Sequence, residues 1–308
     1  MPVTTTNFGR LLDPGIREIF FDRLRSYKPV YTDLFNVLRS TRASEQDLTM
    51  IGLEDWRVTQ ESKASQFTSP LQGFVKNYVH DEWTSGIKIT RKMLDDDQYN
   101  IINRFPAKLA ETALRTIDKK AALLFNNAFN TTYFTGADGV GLVSASHTRE
   151  DGGTNISNTA TGVLNENNLE TGMVAMMETL DGRGELVDTM PDTLLVPPAL
   201  EKEARILVDS PGRTGTASNE LNPYKGALNV KVWKRLGAAA GGSDSAWFLL
   251  DSGLTRDGGG LNVFMRVNPE ISMENELETH VSKWVGYMRF SVGFTGWRGL
   301  YASTGTTS

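Results

Sequence analysis

The chain has no cysteine. That one absence excludes disulfide staples, thiolate-held metals and a cysteine nucleophile together. Histidine is scarce too: His80, His147 and His280 are the only three, far apart, with no HExxH pair and no tight carboxylate–histidine spacing. No apolar run approaches the roughly 18–20 residues that span a bilayer. The opening MPVTTTNFGR lacks the basic-then-apolar order of a secretory signal. A cytosolic site of synthesis, with no membrane contact, is the simple expectation.

A dense basic face is also missing. The net charge is −5; residues 1–42 hold seven basic and four acidic groups, and residues 131–308 hold fourteen against twenty-one. Arg10, Arg17, Arg23, Arg25 and Lys28 lie among acids, a pattern of a solvated mixed-charge face rather than a polyanion contact.

What is present is an order of segments. With 308 residues the chain can bury one large core or two modest ones. Ile16, Ile19, Phe20 and Leu24 predict a short helix over 16–25, which Pro29 ends. Residues 1–45 otherwise have too little apolar content for a core of their own and are expected to lie against a neighbour. Over 52–90 two extended limbs are predicted, from Trp56 and Val58 alternating with Arg57 and Thr59 and from Ile87 and Ile89 alternating with Lys88 and Thr90. The polar stretch between them is too long for a tight turn, so a projecting hairpin is expected.

Between Met93 and Phe129 one long helical segment is predicted. Its clearest part has Pro106 at the first helical position, Phe105 outside it, and Asn130 as the stop. Leu109, Ala113, Ile117, Ala121, Leu124 and Ala128 recur at three- and four-residue steps, opposite Lys108, Glu111, Arg115 and Lys119. After residue 135 a Gly-rich mixed region follows. Helices are predicted over 169–180 and 199–208, and strands at 194–196, at Val230 and Val232, and at 247–250, 263–267, 284–294 and 299–303. Asp257-Gly-Gly-Gly is read as a hairpin signal.

Chemistry is hard to find in this pattern. Ser144-Ala-Ser-His-Thr-Arg-Glu-Asp is the most enzyme-like stretch, and Ser146, His147 and Asp151 could be read as a hydrolase trio. Neighbouring residues rarely orient one another as such a trio needs, so turn bonding is favoured. Asp95-Asp96-Asp97 suits a helix N-terminus better than a cation. Gly136-x-x-Gly139-x-Gly141 and Pro211-Gly-Arg-Thr-Gly-Thr match no phosphate-binding fingerprint. The six tryptophans are spaced like core anchors, without the basic interleaving of a base-stacking surface. The expectation is no enzyme, with catalytic, cofactor and metal residues all none.

Four strings support a family assignment. Ile87-Lys-Ile-Thr-Arg-Lys-Met-Leu-Asp-Asp-Asp, then Pro106-Ala-Lys-Leu-Ala-Glu, resembles the entry to the spine helix of HK97-fold major capsid proteins of tailed bacteriophages. Leu142-Val-Ser-Ala-Ser-His and Asp192-Thr-Leu-Leu-Val-Pro-Pro-Ala-Leu-Glu-Lys-Glu-Ala resemble the Mu-like major head subunit family, and Trp247-Phe-Leu-Leu and Gly299-Leu-Tyr-Ala-Ser are consistent with it.

The resemblance implies an α+β fold, the HK97-like capsid fold. Its parts would be an N-terminal arm (1–45), an extended β-hairpin loop (46–90), a peripheral domain with the long spine helix (91–145 and 262–292) and a mixed α/β axial domain (146–261 and 293–308). It further implies a homo-oligomer: pentamers and hexamers of an icosahedral shell of hundreds of copies, enclosing double-stranded DNA without sequence-specific binding. The virion capsid would be assembled in the bacterial host cytoplasm. A portal, decoration proteins and a separately encoded scaffolding protein are the implied partners. Lys63 and Lys76 lie where some members form Lys–Asn cross-links, but no partner Asn or catalytic Glu is identified and cross-linking is not expected. An encapsulin-like bacterial compartment is the alternative use of the same fold.

Overall fold

The computed structural model describes residues 17–49, 51–61, 64, 65, 67, 69, 71–96, 104–212, 221–257, 259–276 and 278–306. In chain order, the first elements are helix α1 (17–26), α2 (Tyr31–Leu34), and strands β1 (Asn36–Arg39), β2 (Ser44–Leu48), β3 (Val75–Val79) and β4 (Asp81–Thr90). Helices α3 (Arg91–Asp95) and α4 (Arg104–Asn126) follow, then β5 (Thr159–Ala160), α5 (Glu166–Met177), β6 (Thr193–Val196), α6 (Glu201–Asp209) and β7 (Asn229–Val232). The chain closes with β8 (Trp247–Leu250), α7 (Ser252–Arg256), β9 (Leu261–Glu276), β10 (Val281–Phe294) and β11 (Leu300–Ser303).

Helix α4 is the spine its periodicity predicts, 23 residues and so about 35 Å long. Its described part already includes Arg104 and Phe105, the two residues before the proline. Phe105 is helical because it packs with Ile89, Leu109 and Trp284. The long helical segment expected from Met93 is interrupted: α3 ends at Asp95 with Asp96 as its C-cap, while Thr90 caps its start by accepting from Met93 N at 3.3 Å. Asp95 and Asp96 therefore sit at a helix C-terminus, contrary to the capping expectation; Asp97 and the rest of 97–103 lie outside the described residues.

Two sheets share this spine. The first has order β1-β9-β10-β4, and the second β5-β11-β8-β6-β7. Strands β6, β8 and β11 are buried at every position. Leu194, Val196, Trp247, Leu249 and Tyr301 pack on α5 and α6, while Leu195, Phe248, Leu250 and Ala302 pack with α4. Burial on both faces explains why these strands read as unbroken apolar runs. Near the end of α4, Phe125 meets the rings of Phe35, Trp233 and Phe248 edge-on at 5.9, 5.9 and 5.2 Å.

Several expectations are corrected. The segment Asp257-Gly-Gly-Gly makes no hairpin: it leads from α7 into β9, and β8 and β9 belong to different sheets. The long hairpin is β9–β10, turning near His280, which takes a positive φ of 51°. Of β9 only 263–267 was expected; Pro269 hides its continuation in the sequence. It is tolerated because β1 pairs with β9 only as far as Met265, and a register irregularity at Tyr287/Arg289 lies nearby in β10. Trp56 and Val58 lie in no strand; the paired ribbon is β2–β3, and only the second predicted limb, in β4, is extended as expected. The leading segment, from residue 17 on, does find a core in its own chain: Phe20, Tyr31, Leu34 and Phe35 are all buried against it. Sparse apolar content proved sufficient because those four side chains all face the spine helix and its sheet.

Candidate assembly site

Strands β2 and β3 pair from Ser44↔Val79 to Leu48↔Val75, so the chain between them leaves and rejoins the body at one neck. At that neck Thr49 N–H donates to Phe74 O at 2.9 Å, and Phe74 N–H donates to Thr49 Oγ1 at 2.7 Å. Gly73 is required here, because a Cβ would stand 2.1 Å from Thr49 O. Beyond the neck, Trp56 and Val58 have no covering contact, with relative exposures of 102% and 101%; Phe67 follows at 94% and Leu53 at 69%. A soluble chain normally scatters its exposed apolar side chains. Four on one excursion, two of them aromatic, mark an interaction surface.

The ribbon that carries this surface is firmly fixed. Tyr78 Oη and Thr295 Oγ1 are 2.8 Å apart, Thr295 Oγ1 donates to Asp47 Oδ2 at 2.5 Å, and Asn262 Nδ2 donates to the same carboxylate at 3.2 Å. Burial is the main reason the Tyr78 phenol is pushed far up from its ordinary value. Lys76 Nζ donates to Thr135 O at 2.5 Å, and burial lowers its pKa. That lysine is thus committed to its own chain; Lys63 lies outside the described residues.

His80, between β3 and β4, is the second fastening. Its Nε2 is 2.9 Å from Ser40 Oγ and its Nδ1 is 3.0 Å from Ser291 Oγ. Ser40 spends its proton on Glu45 Oε1 at 2.7 Å, so Nε2 carries the ring proton and Nδ1 accepts from Ser291. The neutral ring is fully satisfied. Burial lowers its pKa first of all; Glu45 opposes this, and Arg289 and Arg266 reinforce it. A lowered folded-state value means the contribution to stability is complete above the ordinary histidine value of about 6.5 and is lost as pH falls through it toward the folded value. Urea unfolding of the subunit at pH 7.5 and 5.5 is expected to show this loss, and His80→Gln to show a smaller one. An equal pH dependence in both proteins would refute the assignment.

The enzyme-like trio does not assemble. His147 is fully buried and stacked on Trp297 with centroids 4.1 Å apart. Its Nδ1 is 2.6 Å from Asp138 Oδ2 and its Nε2 3.1 Å from Asn158 Oδ1, so neither nitrogen faces Ser146. Ser146 Oγ instead accepts from Asn155 Nδ2 at 2.6 Å, and Asp151 pairs with Arg149. Asn158 also donates to Leu142 O and Leu300 O, which makes this cluster a buried rivet between loop and final strand. Among the described residues, no group of His, Asp or Glu is placed to hold a metal ion, and no helix is long and apolar enough to cross a membrane.

Sequence reading missed the groups that fix the neck: His80, Asp47, Thr295, Glu150 and Arg183. Their partners are far away in the chain, and no local spacing announces them. The one available signal was Asp181-Gly-Arg-Gly, a turn composition that presents a side chain outward.

A spine helix lodged between two sheets, with a ribbon-borne excursion at one side, defines the HK97-like capsid fold. Solved structures share it. The capsid of the native GTA particle aligns with a TM-score of 0.58 at 11% identity, covering 90% of this chain and 89% of that one. The bacteriophage JBD30 capsid aligns at 0.55 and 14% identity, covering 68% and 92%. A virus-like particle from Pyrococcus furiosus aligns at 0.52 and 9% identity, covering 94% and 98%. No curated protein matches the sequence. The family model described as phage capsid protein matches residues 75–303, and the chain belongs to that family.

Proposed function

We propose that this capsid protein is the major head subunit of a tailed bacteriophage, forming pentamers and hexamers of an icosahedral shell around double-stranded DNA. The observation that carries the reading is the excursion itself: Leu53, Trp56, Val58 and Phe67 are exposed although the ribbon bearing them is fixed to the body. Burying one such side chain is worth about 1.5–3 kcal/mol, so four give a useful contact even after the cost of association. Each subunit would both offer and receive a loop, and repetition around a closed shell multiplies modest contacts.

Within this proposal residues 46–90 are the extended loop, 91–145 with 262–292 the peripheral domain, and 146–261 with 293–308 the axial domain. Residues 1–45 keep the arm's place in the order, although the arm from residue 17 on is seated on its own chain and the burden of assembly moves to the loop. The string Leu194–Glu201, which forms β6 and the entry to α6, supports placement among the Mu-like head subunits. A scaffolding protein, a portal and decoration proteins are the proposed partners, with assembly in the bacterial cytoplasm. The family match favours a virus shell over an encapsulin-like compartment. Sedimentation velocity and negative-stain microscopy of the purified subunit, with and without its scaffold, test the reading. Closed particles support it, and monomers under every condition refute it.

The inner surface should enclose DNA without gripping it. Lys283 stands opposite Glu274 and pairs with Glu276 at 2.9 Å, while Arg23 pairs with Glu111 at 3.1 Å. With cations offset this way, isolated subunits are expected to bind free duplex DNA weakly, with a shallow dependence on salt. Fluorescence anisotropy at several salt concentrations measures this; tight, steeply salt-dependent binding would contradict it.

A further inference from the structure

One guanidinium reaches both limbs of the loop neck. Arg183 Nε donates to Gly52 O at 2.9 Å, and Nη2 donates to Ser69 O at 2.6 Å. Its Nη1 meets Glu54 Oε1 at 3.4 Å. The outgoing limb and the returning limb are thereby bridged through their backbones. This is a different kind of tie from the β2–β3 ladder, because it lies beyond the neck, where the described residues have no strand pairing.

Arg183 is held out for this contact by its own turn. Asp181 Oδ1 accepts from Arg183 N–H at 2.7 Å and from Glu185 N–H at 3.0 Å, and Gly184 takes a φ of 89°. The turn is anchored in turn by Arg298, whose Nε donates to Leu180 O at 3.0 Å and whose Nη2 meets Glu150 Oε2 at 3.3 Å. Glu150 Oε1 accepts from Thr49 Oγ1 at 3.3 Å, closing the circuit back to the neck. Gly52 allows the close approach: a Cβ there would stand 2.6 Å from Asp181 Oδ2. The Arg183 side chain is only 12% exposed, so water competes little for its donors.

The geometry points to Arg183 as a clasp: a positioning residue that aims the loop spanning residues 52–69 before any neighbour is met, so that docking onto a second copy does not have to order it. The docking half of this inference rests on the proposed function; the clasp itself does not. A fork of rigid donors suits the task, because it meets each limb with its own N–H in a fixed plane, whereas a lysine ammonium is a compact charge on a flexible stem and holds the two limbs less rigidly.

The absence of cysteine makes the test clean, since introduced cysteines are the only labelling sites. Spin labels at Thr59→Cys on the loop and Glu178→Cys on the body report their separation by pulsed electron resonance on the full chain. The parent should give a narrow distance distribution. Arg183→Ala and Arg183→Lys should broaden it by about twofold or more, because the limbs lose their shared anchor. Glu54→Gln, which leaves both backbone bonds in place, should not. An unchanged distribution in both Arg183 variants, with folding verified by circular dichroism, overturns the clasp. So does equal broadening by Glu54→Gln.

On the unlabelled chain, Arg183→Ala should raise the subunit concentration at which shells appear by about tenfold, the cost of ordering the loop at docking. Broadening with an unmoved threshold overturns the pre-organising role. A parent that never forms shells instead refutes the proposed function, and the distance measurement still decides the clasp.

Discussion

Trp56→Ser leaves the subunit folded and stops it assembling. The indole touches nothing in its own chain that its removal would expose, so thermal unfolding of the monomer should move little. At an interface the same residue is the largest apolar side chain the loop offers, and tryptophans of this kind dominate contact energies. Truncation of such an anchor typically costs about 2–4 kcal/mol, a factor of roughly 30 to 1,000 in a binding constant. Every subunit carries the defect, so the loss recurs at each contact in a shell. Particle yield by light scattering and the monomer melt, measured on the same preparation, separate assembly from folding. A variant that still makes shells at the parental concentration would remove the loop from the interface.

The second large effect lies inside the subunit. Asp118, near the middle of α4, is 3% exposed and pairs with Arg235, itself nearly buried. The same carboxylate accepts from Tyr31 N–H at 3.3 Å and from the Trp233 indole N–H at 3.4 Å. Burial chiefly, and this charge secondarily, push the Tyr31 phenol up to about 12. Three segments therefore converge on one side chain: the leading segment, the spine and the chain that follows β7. Asp118→Ala strands a buried guanidinium and two N–H donors, and losses of about 3–5 kcal/mol are usual for such a change. Against a total stability of about 5–15 kcal/mol, this removes from about a fifth of it to all of it. Asp118→Asn should cost less, because its amide oxygen still accepts from Tyr31 or Trp233. Urea midpoints of the three proteins give the comparison, and an Asp118→Ala midpoint within 0.5 kcal/mol-equivalent (about the scatter of a surface change) would show the junction to be incidental.

How legible was this in the chain itself? The spine helix was, because Leu109, Ile117, Ala121 and Leu124 keep helical spacing and all four are buried. The doubly covered strands β6 and β8 were legible as apolar runs. What failed was the length of β9 and its pairing with β10: strands were expected at 263–267 and 284–294, but Pro269 and the acids that follow it mask the rest of the 16-residue β9 and the hairpin it makes with the 14-residue β10. Trp56 and Val58 failed for another reason: alternation predicts a half-buried strand, yet neither side is buried within one subunit. Phe20, Tyr31, Leu34 and Phe35 were too few to promise a core locally, and only the placement of α4 and its sheet gives them one. Of the fastenings at the neck only the Asp181-Gly-Arg-Gly turn left a local signal, since Thr49–Glu150, Tyr78–Thr295 and Arg183–Ser69 join residues far apart in the chain.

An electron cryomicroscopy reconstruction of assembled particles tests the central claim most directly. The account predicts closed shells in which the Trp56 and Phe67 side chains are buried against an adjacent copy of this chain. Particles in which the loop lies free in solvent, or is folded onto its own subunit with the contacts made elsewhere, would contradict it.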